Sequence, residues 1–389
     1  MSAMRPPTPP FLSAGFRPFF LAAAAWSALS MAGWLPLLTG EIDLPSRFDP
    51  LSLHIHEMLF GFVMAAIAGF LLTAIPNWTG RPQLAGTPLL ALAVLWLLGR
   101  FVCIASGLLP GWVAPVVDVA FPVALAAVAA RELFLAGNAR NYALLVPIIL
   151  LAIGNLLTHL QTLDVAVPIG IGWRLSMAAI LVLIAVIGGR IVPSFTRNWL
   201  GARGLTVPPS IAWLEHASRI VLIVALLAWV FLTDSRPVGI ALLIAAALHL
   251  ARVVRWRGQA TAPEPLLLIL HIGQLWLGIG LVLLGLSMVW DAIPPAAAIH
   301  ALTAGTMGTM ALAVMTRATL GHTGHVLHAD TTTDIIYALV NAAAVLRVAA
   351  AFTVDAQMNL LTASAAAWIT AFALFIAHYG PLLVAPRRR

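Results

Sequence analysis

Long apolar runs alternate with short polar linkers along the whole chain. A helix of about twenty apolar residues is long enough to cross roughly 30 Å of hydrocarbon. The pattern predicts twelve spans, at 17–38, 53–75, 88–109, 112–136, 142–162, 168–192, 211–233, 237–257, 265–287, 296–320, 332–354 and 359–384. The expected fold class is therefore an all-α integral membrane protein, a polytopic bundle of about twelve transmembrane helices.

The linkers are too short to hold a soluble domain. Residues 1–389 are predicted to form a single transmembrane helical domain with short terminal tails. No dominant sequence repeat is visible at the periods typical of solenoid proteins. Tandem halves of six spans remain an alternative, although the sequence shows no matching pair of broken helices to support them.

The linkers differ in charge from one side of the membrane to the other. One side carries Arg5, Arg17, Arg81, Arg131, Arg140, Arg197, Arg203, Arg252, Arg255, Arg257, Arg317, Arg387, Arg388 and Arg389. The other side carries Glu41, Asp43, Asp49, Asp164, Asp234, Asp291 and Asp355, with only Arg47 and Arg236. By the positive-inside rule, both termini are predicted to be cytoplasmic.

Composition narrows the class of protein further. Apolar residues make up 61% of the chain and charged residues 9%, so the lipid bilayer is its main surroundings. The net charge of +7 comes from arginines in short loops, which is typical of topology control and excludes a nucleic-acid partner. The single cysteine, Cys103, lies in an apolar run and rules out a disulfide framework. The first apolar run is expected to be retained as a span of a bacterial cytoplasmic (inner) membrane protein.

The stretch from His54 to Gly80 carries the most informative chemistry. An ionisable side chain in a membrane helix opposes insertion by roughly 2.5 to 3.5 kcal/mol, so His54, His56 and Glu57 indicate a buried functional site. On a regular helix the two histidines are about 200° apart around the axis. They are therefore predicted to serve two different centres.

Polar residues within the predicted spans fall into two layers. The outer layer holds His54, His56, Glu57, Arg100, Asp118, His159, Arg174, His300 and Arg347. The inner layer holds Glu215, His216, Arg219, His249, His271, Gln274 and His378, with Arg190, Arg317 and His322 at its cytoplasmic rim. Such clustering at one depth favours functional sites over isolated contacts between helices.

Histidines from different helices can hold heme iron or copper, and arginines suit heme propionates because they form bidentate charge-assisted bonds. The outer arginines Arg100, Arg174 and Arg347 are predicted to meet anions, with Asp118 and Glu57 as the simpler partners. The alternative for His159, His216 and His378 is a hydrogen bond between helices. His325 and His328 are expected to be solvated in a loop. Templates for nucleotide binding and for zinc proteases are absent from the sequence.

Several sequence blocks together suggest a family. They are GFRPFF from Gly15, HIHEMLFGF from His54, AGFLLTAIPNWTGRP from Ala68, GGRIVPSFTRNWL from Gly188, EPLLLILHIGQLW from Glu264 and HALTAGTMGTMALAVMTRATLGHTGH from His300. With these blocks the chain resembles the NnrS family over nearly its whole length. The resemblance implies a membrane protein linked to nitric oxide metabolism and nitrosative stress, with heme and copper as cofactors. It makes the following residues functional candidates: His54, His56, Glu57, Arg190, Arg197, His249, His271, His300, Arg317 and His322.

The two lines of reasoning give one set of expected site residues. The expected metal ligands are His54, His56, His300, His249, His271 and His322. The expected cofactor-binding residues are Arg100, Arg174, Arg347, Glu57, Arg190 and Arg317. The expected function is a heme- and copper-binding protein of nitric oxide metabolism or defence, with nitric oxide or a related nitrogen oxide and an electron donor as partners. The alternatives are a reductase-like enzyme, a transporter or channel for copper, nitrite or heme, and a redox or nitric oxide sensor without turnover.

Overall fold

The computed structural model describes residues 8–388, so Arg5 and Arg389 lie outside the described residues. Helix accounts for 79% of the chain, and no strand occurs among residues 8–388, which confirms the all-helical class. Twelve helices are long and apolar enough to cross a membrane, as the sequence predicts.

The twelve spans are numbered here in chain order. They are α1 (Phe16–Thr39), α2 (Pro50–Thr79), α3 (Thr87–Ile104), α4 (Val113–Leu135), α5 (Ala139–Thr162), α6 (Ile171–Gly201), α7 (Ala212–Phe231), α8 (Arg236–Arg255), α9 (Pro265–Ser287), α10 (Pro295–Thr323), α11 (Thr331–Phe352) and α12 (Gln357–Val384). The largest difference from the predicted bounds is in α6, which continues to Gly201 through Pro193.

The chain divides into two compact units. The first comprises residues 1–167, 317–326 and 375–389, and the second comprises residues 168–316 and 327–374. In the first unit α2 is the central helix: it packs against α1 and α4, and α4 also packs against α3 and α5. In the apolar part of α2, 89% of the residues are buried, whereas the other spans expose far more surface. Polar groups on α2 are therefore shielded by protein rather than facing lipid.

In the second unit α9 packs against α8, α6 and α10, and α7 packs against both α6 and α8. Leu-rich α9 has glycines where its neighbours come close: a Cβ at Gly278 would overlap the side chain of Leu250 on α8. Small residues at such positions let membrane helices approach each other closely.

Two spans are interrupted by π-helical segments. α2 has one at Glu57–Val63, and α10 has one at Ala301–Gly308. No matching pair of broken helices is recognisable in the sequence, but the structure contains this pair of π-helical segments. The two interrupted spans lie eight spans apart, whereas tandem halves would place them six apart. A π-helical turn inserts one extra residue into a helix and often marks a functional site.

Candidate metal-binding site

The two histidines near the start of α2 lie in different surroundings. Asp49 caps the helix, because its side-chain Oδ1 accepts hydrogen bonds from the backbone N–H of Leu51 and Ser52, each at 3.0 Å. His54 stacks on Trp34 of α1, with ring centroids 4.2 Å apart. His56 is fully buried. The two rings thus have separate environments, as their angular separation predicts.

The π-helical segment directly after His56 brings a carboxylate into the core. The widened turn needs other donors for its carbonyls, and the Gly61 carbonyl accepts from Trp96 Nε1 at 3.1 Å. The indole of Trp26 lies over Gly61, where a Cβ would overlap the ring. Trp26 Nε1 donates to Glu57 Oε2 at 2.6 Å and fixes that side chain.

Arg100 on α3 lies between two buried carboxylates. Its Nη1 donates to Glu57 Oε2 at 2.9 Å, and its Nη2 donates to Asp118 Oδ1 on α4. Gly99 makes this approach possible, because a Cβ there would come within 2.6 Å of that Asp118 oxygen. The prediction that this arginine meets an anion is confirmed, but it takes both acids proposed for the three outer arginines.

The second oxygen of Asp118 lies close to three further donor groups. It accepts from His159 Nε2 at 3.0 Å and from the Asn155 amide nitrogen at 2.8 Å. His56 Nε2 donates to Asn155 Oδ1 at 3.1 Å and lies at the same distance from the Asp118 oxygen. His56 Nδ1 lies 3.0 Å from Glu57 Oε1, so each of its ring nitrogens faces a carboxylate. Two acids thus face one guanidinium and one imidazole, and a protonated His56 would balance the charge of the cluster. Such pairing is what a buried charge requires.

Four side chains in this cluster have donor atoms that could hold one metal ion: His56, Cys103, Asp118 and His159. Their donor atoms all lie within 4.8 Å of one another, and all four side chains are buried. Two imidazoles, a thiol and a carboxylate form a mixed nitrogen, sulfur and oxygen set, which is typical of zinc and copper sites. We call these four residues with Glu57, Arg100 and Asn155 the α2–α5 cluster.

Aromatic side chains cover the α2–α5 cluster. Phe48 contacts the rings of both His56 and His159, with centroids 4.8 Å and 5.3 Å away. Phe60 lies 5.0 Å from His56, and Leu53 packs with Phe48 beside Cys103. The apolar cover excludes water, which strengthens every electrostatic interaction within the cluster.

Three of the expected site residues, His56, Glu57 and Arg100, meet in this cluster. Within the same unit, His322 lies against Phe16, with centroids 5.5 Å apart, and Arg317 is half-buried on α10. The structure does not bring these two, or His54, to the α2–α5 cluster.

In the second unit the expected residues lie in several places. Arg174, near the start of α6, donates to the Val230 carbonyl at 3.1 Å. Arg347 lies on α11, which packs against the segment Pro295–His300 at the start of α10. Arg190 is half-buried on α6.

The two inner histidines of this unit each have one nitrogen engaged. His249 Nε2 donates to the Gln274 carbonyl at 3.0 Å, and His271 Nε2 lies 2.8 Å from the Thr196 hydroxyl. That hydroxyl donates its own proton to the Val192 carbonyl, so His271 must donate from Nε2. In both rings Nδ1 therefore carries the lone pair, and it is buried with no hydrogen-bond partner among residues 8–388.

Sequence reasoning missed Cys103 and Asn155 as members of the site and left open whether His159 belongs to a site or is a contact between helices. A spacing signal was present. Cys103 follows Arg100 by three residues and His159 follows Asn155 by four, so each pair shares one helical face.

Comparison with known proteins agrees with this architecture. A family profile described as NnrS protein matches residues 10–387, nearly the whole chain. A search of curated proteins finds no match.

Proposed function

The chain belongs to the NnrS family, and from that premise we propose that it is a membrane protein of the nitric oxide response that holds copper in the α2–α5 cluster. Family membership supports the role in the response to nitric oxide. The observation that supports the metal is the meeting of four buried donor side chains from α2, α3, α4 and α5.

The donor set suits copper or zinc, and the family's role in the nitric oxide response favours redox-active copper of the two. A buried site with imidazole and thiolate ligands is not suited to magnesium or calcium, which take oxygen ligands. His56, His159 and Cys103 would hold the ion once His56 and Cys103 have released their protons, with Asp118 as a fourth ligand or as the carboxylate that orients both rings. When bound, copper supplies one-electron chemistry towards nitric oxide.

The chain's own residues prepare this site without the metal. Trp26 and Arg100 hold Glu57, and Arg100 with Asn155 holds Asp118, so the groups around the ligands are fixed before an ion enters. Phe48 and Phe60 keep water out. Pre-organisation of this kind is what gives a metal site its geometry.

Heme is the second cofactor of the proposal. An axial ligand needs a neutral imidazole with a free nitrogen, and His300 meets that requirement. Its Nδ1 donates to the Ala296 carbonyl at 2.7 Å, which leaves the lone pair on Nε2. Arg347 lies on the neighbouring α11. His300 would hold the heme iron, and Arg347 would pair with a propionate.

The test is the metal and heme content of the purified protein and its variants. His56→Ala, His159→Ala and Cys103→Ser should each lower the copper content to well under half of the parent's. His216→Ala and His328→Ala are matched controls, since both histidines are exposed. Full copper content in all three site variants would contradict the proposal. A metal-free protein that accumulates copper in vesicles would instead favour the transporter alternative.

A further inference from the structure

The two interrupted spans share an unusual pattern. The π-helical segment begins directly after His56 in α2 and directly after His300 in α10. Both spans begin with a proline, and both are followed by a glycine in the left-handed region, Gly80 with φ 68° and Gly324 with φ 84°. In each span this glycine lies 24 residues after the histidine. The shared landmarks indicate that α2 and α10 are two copies of one element.

The preceding span repeats the pattern as well. Trp26 of α1 lies over Gly61, and Trp276 of α9 lies over Gly305. Each glycine is five residues after the histidine, and a Cβ on either would overlap the indole. The same tryptophan-on-glycine contact therefore occurs at the same point of both π-helical segments.

Each of these indoles also donates to a polar side chain near the segment. Trp26 Nε1 donates to Glu57 Oε2 at 2.6 Å, and Trp276 Nε1 donates to Asn341 Oδ1 on α11 at 2.8 Å. The acceptor is charged in the first case and neutral in the second.

The spacing of the spans extends the correspondence to four helices. The first four spans begin at Phe16, Pro50, Thr87 and Val113, and the last four begin at Pro265, Pro295, Thr331 and Gln357. Each later start follows its counterpart by 244 to 249 residues. The spans α5 to α8 lie about midway between, and α6 ends in Asn198-Trp199-Leu200-Gly201, similar to Asn77-Trp78-Thr79-Gly80 of α2. The first and last four spans therefore correspond as two copies of a repeat, and span position indicates that α5 to α8 are a third.

The first and last copies differ in their acidic residues. The third span of each copy carries an arginine, Arg100 on α3 and Arg347 on α11. The position after the histidine is Glu57 in the first copy and alanine in the last. The counterpart of the span that carries Asp118 is α12, which contains no acidic residue. No acidic side chain lies within ion-pair distance of Arg347 among residues 8–388.

Arg347 is half-buried near the end of α11, and no acidic side chain in the described part of the chain compensates its charge. The segment Pro295–His300 at the start of α10 packs against α11. His300 has its lone pair on Nε2, because Nδ1 donates to the Ala296 carbonyl. We propose that His300 and Arg347 form a second ligand site, which binds the carboxylate or oxyanion group of an anionic ligand through Arg347. The source of that group is either a heme propionate, in which case the inference rests on the proposed function, or a free oxyanion such as nitrite.

The loss of the two acids explains how one scaffold gives two sites. In the first copy Glu57 and Asp118 both pair with the guanidinium of Arg100, so its charge is neutralised within the protein. In the last copy Arg347 has no such acidic pair, so an external anion can neutralise it. Restoring an acid should therefore close the second site, so Ala301→Glu is the sharpest variant.

The experiment compares Arg347→Gln, Arg347→Lys and Ala301→Glu with the parent, and uses Arg219→Gln as a matched control. Arg219 lies on α7 and donates to the Glu215 carbonyl of its own helix. Nitrite binding is measured by calorimetry on heme-free protein, and heme per chain is measured by absorbance. Loss of one charge-assisted bond predicts about tenfold weaker binding in Arg347→Gln and Ala301→Glu, with Arg347→Lys in between.

The readouts separate the two sources. A fall in heme content without nitrite binding to the parent identifies a propionate, and a fall in nitrite affinity identifies a free oxyanion. Copper in the α2–α5 cluster should stay at the parent level in every variant. If the parent protein contains no copper but still binds nitrite, only the proposed function is overturned. Absence of both ligands from the parent, or unchanged binding of both in Ala301→Glu and Arg347→Gln, would overturn the second site.

Discussion

At the scale of single residues, Arg100 shows how a membrane protein makes buried charge tolerable. The guanidinium is 1% exposed and contacts two carboxylates that are themselves buried. Removing one member of such a group leaves its partners charged and unpaired in a medium where they cannot be solvated. The arginine is therefore needed even where no ligand touches it.

We expect Arg100→Gln to lower the free energy of unfolding by about 3 to 5 kcal/mol, the cost of breaking a buried ion pair. Arg131→Gln is the control, since that side chain is 65% exposed and its pair with Glu132 should contribute less than about 1 kcal/mol. Thermal unfolding in detergent would measure both. Equal midpoints for the two variants would mean that the cluster carries no net charge-pairing energy.

The sequence predicted part of this cluster and not the rest, for a physical reason. His56, Glu57 and Arg100 are ionisable, so their cost in a membrane helix marks them without any structure. Asn155 and Cys103 have no comparable cost, and nothing in their own spans reveals that α5 and α3 both face Asp118. The partners of Arg347 and the separate surroundings of His322 likewise depend on packing between distant spans, which one-dimensional patterns do not contain.

At the scale of elements, the π-helical segment of α2 is fixed by a glycine. The indole of Trp26 occupies the place of a Gly61 side chain, and the same indole holds Glu57. The local sequence therefore sets the position of a carboxylate four residues away.

We expect Gly61→Leu to displace Trp26, to break its bond to Glu57 and to lower both thermal stability and copper content. Overpacking of this kind costs about 1 to 3 kcal/mol. Gly33→Ala on α1 is the matched control, because nothing lies within 4 Å of a Cβ there. That change should be neutral or stabilising by up to about 1 kcal/mol. A tolerated Gly61→Leu would disprove the close contact.

The cap of α2 makes a further prediction at this scale. Burial raises the pKa of Asp49, but hydrogen bonds from Ser52 and Leu51 outweigh that effect and lower it. A lowered pKa means that the cap contributes its full stability above the unfolded pKa and loses it as pH falls through the folded pKa. Asp49→Ala should cost about 1 kcal/mol at neutral pH, and Asp49→Ser much less. Unfolding midpoints at neutral and acidic pH would test both the size and the direction, since the difference between parent and Asp49→Ala should shrink in acid.

At the scale of the whole molecule, the four-span repeat and the arginine pattern predict the same membrane topology. A unit with an even number of spans returns the chain to the side on which it began, so α1, α5 and α9 should all start on one side. Arg140 lies at the start of α5 and Arg257 in the linker before α9, whereas Asp164 and Asp291 lie in linkers that follow an odd number of spans. Repeats and charges thus predict one topology from independent observations.

Reporter fusions would test that topology directly. Fusions after Arg81, Arg140 and Arg203 should report the cytoplasm, because each follows an even number of complete spans and lies in or beside an arginine-rich linker. A fusion at Asp164, after five spans, should report the periplasm. Cytoplasmic signal at Asp164 together with Arg140 would place α5 outside the membrane and break the repeat. Periplasmic signal at Arg140 would mean that an odd number of spans precedes it. The second ligand site at Arg347 would then lie at the opposite side of the membrane from the one expected.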